Sequence, residues 1–251
     1  MLCDVNAFLG SWPFSIVPEY SAPQLADYLA QSGIRRAVVS HLGAVFQPDP
    51  MLANRKLLAA VRRTPALAPL PIVNPLLANW REQLTELGAN AAVRAVRILP
   101  NYHNYALKSR RLDPFMDALA EAKLKLVLTA RLEDERHRYF ALRVKGVPCK
   151  AIAAFLARFP DHHILCTGVP LFDIQNLAEK HANFSSDLSY AENITMMEML
   201  RDKIAPSRLM FGTFAPLVSA RAQAAKLTQS PLTAQERKLI YAENARRFFS
   251  L

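Results

Sequence analysis

Cysteine and long apolar runs are scarce in this 251-residue sequence. The three cysteines, at positions 3, 149 and 166, are odd in number and widely spaced, which indicates free thiols in a reducing compartment. No run of about 18 apolar residues occurs, which excludes a membrane-spanning helix. The opening segment MLCDVNAFLG lacks a basic region followed by a long apolar one. We therefore expect a cytoplasmic protein that does not contact membranes.

The motifs that most directly identify a chemistry are also missing. The sequence contains no GxGxxG, no GxxxxGK[ST], no HExxH, no GxSxG and no CxxC pair. These absences argue against dinucleotide, P-loop, zincin and α/β-hydrolase sites of the usual kind. We expect no cofactor.

Positive charge is in excess, with 31 Lys and Arg against 21 Asp and Glu, a formal charge of +10. The basic pairs Arg35–Arg36, Arg62–Arg63, Arg110–Arg111 and Arg246–Arg247 are dispersed along the chain. No tract of five like charges occurs, and no aromatic residues alternate with basic ones as in a stacking platform. The pattern favours a scattered, solvated surface first, attraction of a small anionic molecule second and nucleic acid last. We expect a small anionic partner and no nucleic acid.

Short β-branched runs alternate with amphipathic segments along the whole chain. Predicted strands cover residues 2–6, 36–42, 67–73, 93–99, 124–130, 162–167, 183–189 and 207–213. Ser21 and Gly33 delimit the first predicted helix, and Thr233 with Glu236 has capping-box spacing before the last one. Eight strand–helix units in about 250 residues predict a (β/α)8 barrel, one domain over 1–251 with an extra C-terminal helix. A doubly wound open sheet is the alternative.

Sites in such barrels lie where the strands end at their carboxyl side, and this rule selects the candidate residues. The catalytic candidates are His103, Asp187 and Glu133. The substrate-binding candidates are Asp4, Asn6, Trp12, Arg97, Asn101, Tyr102, Arg131 and Thr213. We expect no metal ligand among them.

The densest polar stretch is RILPNYHNY, residues 97–105. A guanidinium at Arg97 facing the mouth would bind a carboxylate, and His103 would transfer protons near neutral pH. In the alternative interpretation, Arg97 pairs with a barrel carboxylate and His103 caps a loop. The segment 131–136 would either position a substrate or form a salt-bridged loop. Asp187 ends an apolar strand, so it needs a partner, either in an ion pair or as a catalytic acid.

Four stretches together resemble the amidohydrolase-related family of metal-dependent TIM-barrel hydrolases. They are CDVNAFLGSWPF (3–14), VRILPNYHNYAL (96–107), SRLMFGTFAPL (207–217) and LTAQERKLIYAENARRFF (232–249). The resemblance implies a hydrolytic barrel. Independently of it, the WPF segment, residues 12–14, forms either an aromatic lid over the barrel mouth or plain packing.

The resemblance also implies metal-ligand positions, and this sequence departs from the family at each of them. The His-x-His pair of strand one reads Asn6 and Phe8. The strand-five histidine falls near 129–131 and the strand-six histidine near Thr167. The strand-eight aspartate reads Phe214. Side chains without a donor atom cannot coordinate a divalent ion, so we expect the family's metal-activated water to be missing.

Two functional hypotheses follow from this departure. The first is a metal-free hydrolase or lyase that acts on a small carboxylate or lactone by acid–base and electrostatic catalysis. The second is a catalytically inactive barrel that binds a small ligand or a protein partner. A homodimer is the commonest oligomer for such a barrel, and the sequence leaves the oligomeric state open.

Overall fold

The computed structural model describes residues 1–134, 144–193 and 195–251. Within these residues the strands are β1 (Leu2–Leu9), β2 (Ile34–His41), β3 (Leu67–Pro69), β4 (Ala95–Ile98), β5 (Lys125–Thr129), β6 (Ile164–Thr167), β7 (Phe184–Asp187) and β8 (Leu209–Met210). Every strand pair is parallel, in the order β1-β2-β3 and β4-β5-β6-β7-β8.

Backbone hydrogen bonds join the two sets of strands into a closed barrel. On one side, Arg97 N donates to Pro71 O at 2.7 Å and Val73 N donates to Arg97 O at 2.9 Å. On the other side, Val5 N donates to Phe211 O at 2.9 Å, and Phe8 N donates to Ala215 O at 2.7 Å. The fold is therefore the predicted (β/α)8 barrel and not an open sheet.

Ten helices follow or connect the strands in the described residues. They are α1 (Ala22–Ala30), α2 (Met51–Val61), α3 (Trp80–Gly88), α4 (Asp113–Glu121), α5 (Cys149–Arg158), α6 (Leu171–Lys180), α7 (Met196–Arg201), α8 (Ala220–Thr228), α9 (Ala234–Lys238) and α10 (Asn244–Phe249). No helix in this part of the chain has the length and apolarity needed to cross a membrane.

Local signals account for where several helices begin. Before α1, Ser21 N donates to Gln24 Oε1 at 2.9 Å, as in a capping box. Before α9, Thr233 and Glu236 form the predicted capping box. The predicted helix 191–204 shortens to α7, and residue 194 lies outside the described residues. Residues 135 and 136 of the charged segment 131–136 also lie outside them.

Apolar clusters close both ends of the barrel. Phe248 and Phe249 of α10 pack against Cys3, Val38 and other inward residues at the N-terminal end. Asn244 anchors this helix, because its Nδ2 donates to Pro206 O and Leu209 O, both at 2.7 Å. At the C-terminal end a second cluster contains Phe8, Trp12, Leu42, Val45, Ile72, Leu99, Leu132 and Phe214.

Candidate active site at the C-terminal end of the barrel

A layer of buried polar side chains crosses the barrel just below the C-terminal cluster. Its members share zero solvent exposure: Asp4, Asn6, Arg97, Asp187 and Thr213. All five are sequence-predicted site residues, drawn from strands β1, β4 and β7 and from the segment after β8. We call this group the buried polar layer.

Asn6 is the central connection of the layer. Its Oδ1 accepts a hydrogen bond from Arg97 Nη2 at 2.8 Å, and its Nδ2 donates to Asp187 Oδ2 at 3.0 Å. The amide thus links the guanidinium to the carboxylate without a direct contact between the two. Asp187 also accepts from Ser189 Oγ at 2.7 Å and from Gly168 N at 3.1 Å.

The two carboxyl groups are stabilised by different donors. Asp4 Oδ1 accepts from the backbone N–H groups of Asn6, at 2.8 Å, and Thr213, at 3.0 Å, while Thr213 Oγ1 donates to Asp4 Oδ2. Burial nevertheless raises the pKa of Asp4 to about 6, and it raises the pKa of Asp187 as well. Gly212 is required beside Asp187, because a Cβ atom there would lie 2.4 Å from Asp187 Oδ2.

Arg97 keeps unused hydrogen-bonding capacity in this layer. Its Nε and Nη1 atoms are buried and have no hydrogen-bond partner among the described residues. Its Cζ atom lies 4.6 Å from the ring centroid of Phe8, which provides a cation–π contact. Burial lowers the pKa of Arg97 to about 9, and the charges of Asp187 and Asp4 oppose this change. The guanidinium therefore stays protonated at neutral pH.

Aromatic side chains seal the layer from above. The rings of Phe8 and Phe214 lie 5.7 Å apart, and Tyr190 packs edge-on against Phe214 at 5.2 Å. Phe214 adopts a φ of 61°, which costs a residue with a side chain about 1–2 kcal/mol relative to glycine. This strained aromatic residue holds its place because the surrounding packing determines it.

Above the seal is a cleft of about 400 Å³ with an acidic rim. Its lining includes Glu133, Asp134, Tyr190 and Glu192 together with apolar residues. Burial raises the pKa of Glu133, and Trp12 Nε1 donates a hydrogen bond to Glu133 Oε1.

The remaining predicted residues surround this cleft or lie beside it. The Trp12 and Tyr102 rings pack edge to face with their centroids 5.9 Å apart. Such a contact is expected if the segment that contains Trp12 has a packing role. The Arg131 guanidinium lies 5.8 Å from the Tyr190 ring centroid. Asn101 Nδ2 donates to Lys145 O at 3.0 Å. These four side chains position loops at the mouth, outside the buried polar layer.

His103 lies apart from the other predicted catalytic residues. Burial lowers its pKa to about 4, with an opposing hydrogen bond to the Val45 backbone. The imidazole is therefore neutral at pH 7. Its Nδ1 atom is buried without a hydrogen-bond partner among the described residues. Within the described residues, no hydrogen bond connects His103 to the buried polar layer.

Sequence reasoning missed Tyr190 and Gly168, which complete the site. Tyr190 contributes a ring above the layer, and Gly168 donates its N–H to Asp187 from a left-handed backbone conformation with φ of 71°. Gly168 directly follows β6 and Tyr190 lies three residues after β7, so the rule that selects strand ends would have found them if extended by one to three residues. A glycine after a strand was the available signal.

A comparison of the sequence with models of known protein families identifies the family of this barrel. Residues 13–251 match the family model described as amidohydrolase. This chain belongs to the amidohydrolase family. A search of curated protein sequences finds no match.

Solved structures agree with this amidohydrolase assignment at the level of the fold. The 5-carboxyvanillate decarboxylase of Sphingomonas paucimobilis is 12% identical with a TM-score of 0.79, over 100% of this chain and 99% of that one. A probable 2-pyrone-4,6-dicarboxylic acid hydrolase of Acinetobacter baumannii, with citric acid bound, is 15% identical with a TM-score of 0.69, over 100% and 99%.

A third similar structure contains a metal ion. It is the 5-carboxyvanillate decarboxylase of Novosphingobium aromaticivorans with bound manganese, 13% identical with a TM-score of 0.72, over 90% of this chain and 80% of that one. The positions that the family resemblance assigns to metal ligands carry side chains that do not fit such an ion. Phe8 and Phe214 have no donor atom, both atoms of the Asn6 amide are engaged, and the Thr129 and Thr167 hydroxyls bond each other at 2.9 Å. The described residues contain no group of three His, Cys, Asp or Glu placed to hold a metal.

Proposed function

We propose that this amidohydrolase-family barrel is a metal-independent enzyme, a hydrolase or lyase, that acts on a small carboxylate or lactone. The observation that carries the proposal is Arg97, a protonated and fully buried guanidinium with two nitrogen atoms that find no partner in the described residues. A buried donor without an acceptor costs about 1–3 kcal/mol, and an anionic substrate would recover that cost. Family members with similar folds supply the substrate class, because their names describe carboxylated aromatic and pyrone compounds.

Proton transfer falls to the carboxyl groups beside Arg97. Burial raises the pKa of Asp187 and brings that of Asp4 to about 6, so each carboxyl can hold a proton closer to neutral pH. For a lactone, water adds to the carbonyl carbon while Arg97 stabilises the oxyanion. Asp187, ionised while it accepts its three hydrogen bonds, takes a proton from the water as it adds; the ring C–O bond then breaks, and Asp187 gives that proton to the leaving alkoxide.

The other predicted residues take supporting roles in this proposal. Asn6 orients the guanidinium, and Thr213 fixes Asp4. Glu133 and neutral His103 are further candidates for proton transfer, whereas Trp12, Asn101, Tyr102 and Arg131 line the approach. Substrate entry requires the Phe8 and Phe214 rings to move, because the layer has no solvent exposure.

The test uses chelator-treated protein with a panel of 5-carboxyvanillate, 2-pyrone-4,6-dicarboxylate and related acids, with product formation followed by chromatography. We expect turnover that Asp187→Asn abolishes while ligand-induced thermal shifts persist. Arg97→Lys should reduce both, and Arg221→Lys, an exposed arginine of α8, should change neither. Turnover that needs added manganese would contradict the proposal.

A second candidate is a catalytically inactive barrel that binds a ligand or a protein. The complete burial of the polar layer under aromatic rings favours it. In that case the panel gives no product in any metal condition. A thermal shift that is lost in Arg97→Lys would then identify a ligand-binding barrel, and a stable complex in pull-down experiments would identify a protein-binding one.

A further inference from the structure

The barrel collects at its N-terminal end basic pairs that are far apart in the sequence. Arg35–Arg36 begins β2, Arg62–Arg63 follows α2, and Arg246–Arg247 lies in α10. Helices end and strands begin at this side of a (β/α)8 barrel. The positive charges of both Arg36 and Arg246 act on the Cys3 thiol, whose pKa burial raises to about 12. Three of the four pairs thus share one end of the molecule.

A cavity of about 520 Å³ opens at this end. Its wall carries Arg36, Arg62 and Arg94, and none of its lining side chains is acidic. All three arginines are exposed, and within the described residues none of their guanidinium groups has a hydrogen-bond or ion-pair partner. Asn90 and Ser250 add polar groups to the wall. We call this the N-terminal cavity.

A second, smaller cavity of about 320 Å³ extends the positive region across α10. Lys125, His163, Arg208 and Arg247 line it, again without an acidic side chain. Burial lowers the pKa of His163, and the positive charges of Arg208, Lys125 and Arg247 lower it further. The region therefore has an unbalanced positive potential.

Some arginines elsewhere on the surface have carboxylate partners. Arg55 Nη2 lies 2.7 Å from Glu86 Oε2, and Arg201 Nε lies 2.8 Å from Glu236 Oε1. No Asp or Glu side chain lines the N-terminal cavity, in contrast to the surroundings of Arg55 and Arg201. Unpaired guanidinium groups on a concave wall are the arrangement that binds phosphate oxygens.

We propose that the N-terminal cavity binds a compact oligophosphate or a small molecule that carries one. A planar guanidinium matches two phosphate oxygens, and three of them surround a space large enough for a linear triphosphate. The lining phenylalanine, Phe249, is buried, so no ring is available to stack on nucleic-acid bases. This inference concerns the end of the barrel opposite Arg97 and does not depend on the proposed reaction.

The test is isothermal titration calorimetry with inorganic tripolyphosphate on the full chain at 50 and 200 mM salt. We expect micromolar binding that weakens at the higher salt and that falls at least tenfold in the Arg62→Gln/Arg94→Gln double variant. Arg221→Gln, an exposed arginine of α8, serves as the matched control and should bind like the parent. Circular dichroism checks that both variants are folded.

Three results would overturn the proposal. They are equal weakening in the control and the double variant, citrate binding as tight as tripolyphosphate, or no binding of tripolyphosphate at 50 mM salt. Single-stranded DNA or anionic phosphatidylserine vesicles are included as competing ligands. Binding of either one that tripolyphosphate does not displace would assign the face to a macromolecule or a membrane instead.

Discussion

Among the described residues, the two ends of this barrel are closed in the same way, but the cavities outside them are lined by charged side chains of opposite sign. Apolar clusters containing phenylalanine seal both, with Phe8 and Phe214 at one end and Phe248 and Phe249 at the other. The cleft outside the C-terminal seal is rimmed by carboxylates, whereas the N-terminal cavity is rimmed by arginines. The one arginine held inside, Arg97, lies beneath the acidic end. Arg97 is surrounded by buried polar groups and an aromatic ring, whereas the exposed arginines are surrounded by solvent. The position of a guanidinium therefore decides whether it stabilises the core or is available to bind a ligand.

The largest expected effect compares a buried arginine with an exposed one three residues away. Arg97→Met should lower the free energy of unfolding by about 3–5 kcal/mol, because it leaves buried carboxylates without their cation. Arg94→Met should change it by less than about 0.5 kcal/mol, since that side chain is solvated. Urea denaturation followed by circular dichroism measures both. Similar losses of unfolding free energy in the two variants would show that the buried arginine and the exposed arginine do not differ in what they contribute to stability.

The next effect concerns the strained seal. Phe214→Ala should cost about 3 kcal/mol through the lost contacts with Phe8 and Tyr190. Phe214→Gly should cost about 1 kcal/mol less than Phe214→Ala, because a φ of 61° penalises alanine and not glycine. Thermal denaturation of both variants gives the order. If alanine were the better tolerated of the two, the backbone strain would not be real.

The smallest expected effect concerns the ion pair between Arg201 and Glu236. The hydrogen bond from Arg201 holds the pKa of Glu236 at about 2, below its unfolded value. Glu236 therefore stabilises the fold above about pH 4.5, and this contribution is lost as the pH falls towards 2. Glu236→Gln should be less stable than the parent by about 1 kcal/mol at pH 7, and the two should converge near pH 2. The free energy of unfolding of both proteins, measured between pH 2 and 7, tests this prediction. A difference between them that stays constant with pH would show that the charge of Glu236 does not contribute to stability.

Much of the fold could be predicted because its signals are local. Ser21 and Gly33 bracket α1 as expected, and the capping box at Thr233 begins α9. The third predicted strand shortens to β3, Leu67–Pro69, because its prolines cannot donate to a ladder. The eighth shortens to Leu209–Met210, and the following Phe211 N donates instead to Ile240 O near the C-terminal helices.

The candidate site was predictable in part. Because the carboxyl ends of parallel strands converge, choosing polar residues there found Asp4, Asn6, Arg97 and Asp187. Loop residues do not obey this rule, since their direction depends on what packs against them. His103 consequently contacts the Val45 backbone and lies apart from the polar layer.

By itself the sequence determined the alternation of strands and helices, and with it the barrel, because hydrophobic periodicity and caps act between near neighbours along the chain. Only the tertiary structure decided which charges meet. It buried Arg97 under a phenylalanine and gathered Arg36, Arg62 and Arg94 around one cavity. Electrostatic interactions and burial depend on distance in space, and closing the barrel sets those distances between residues that the sequence keeps far apart.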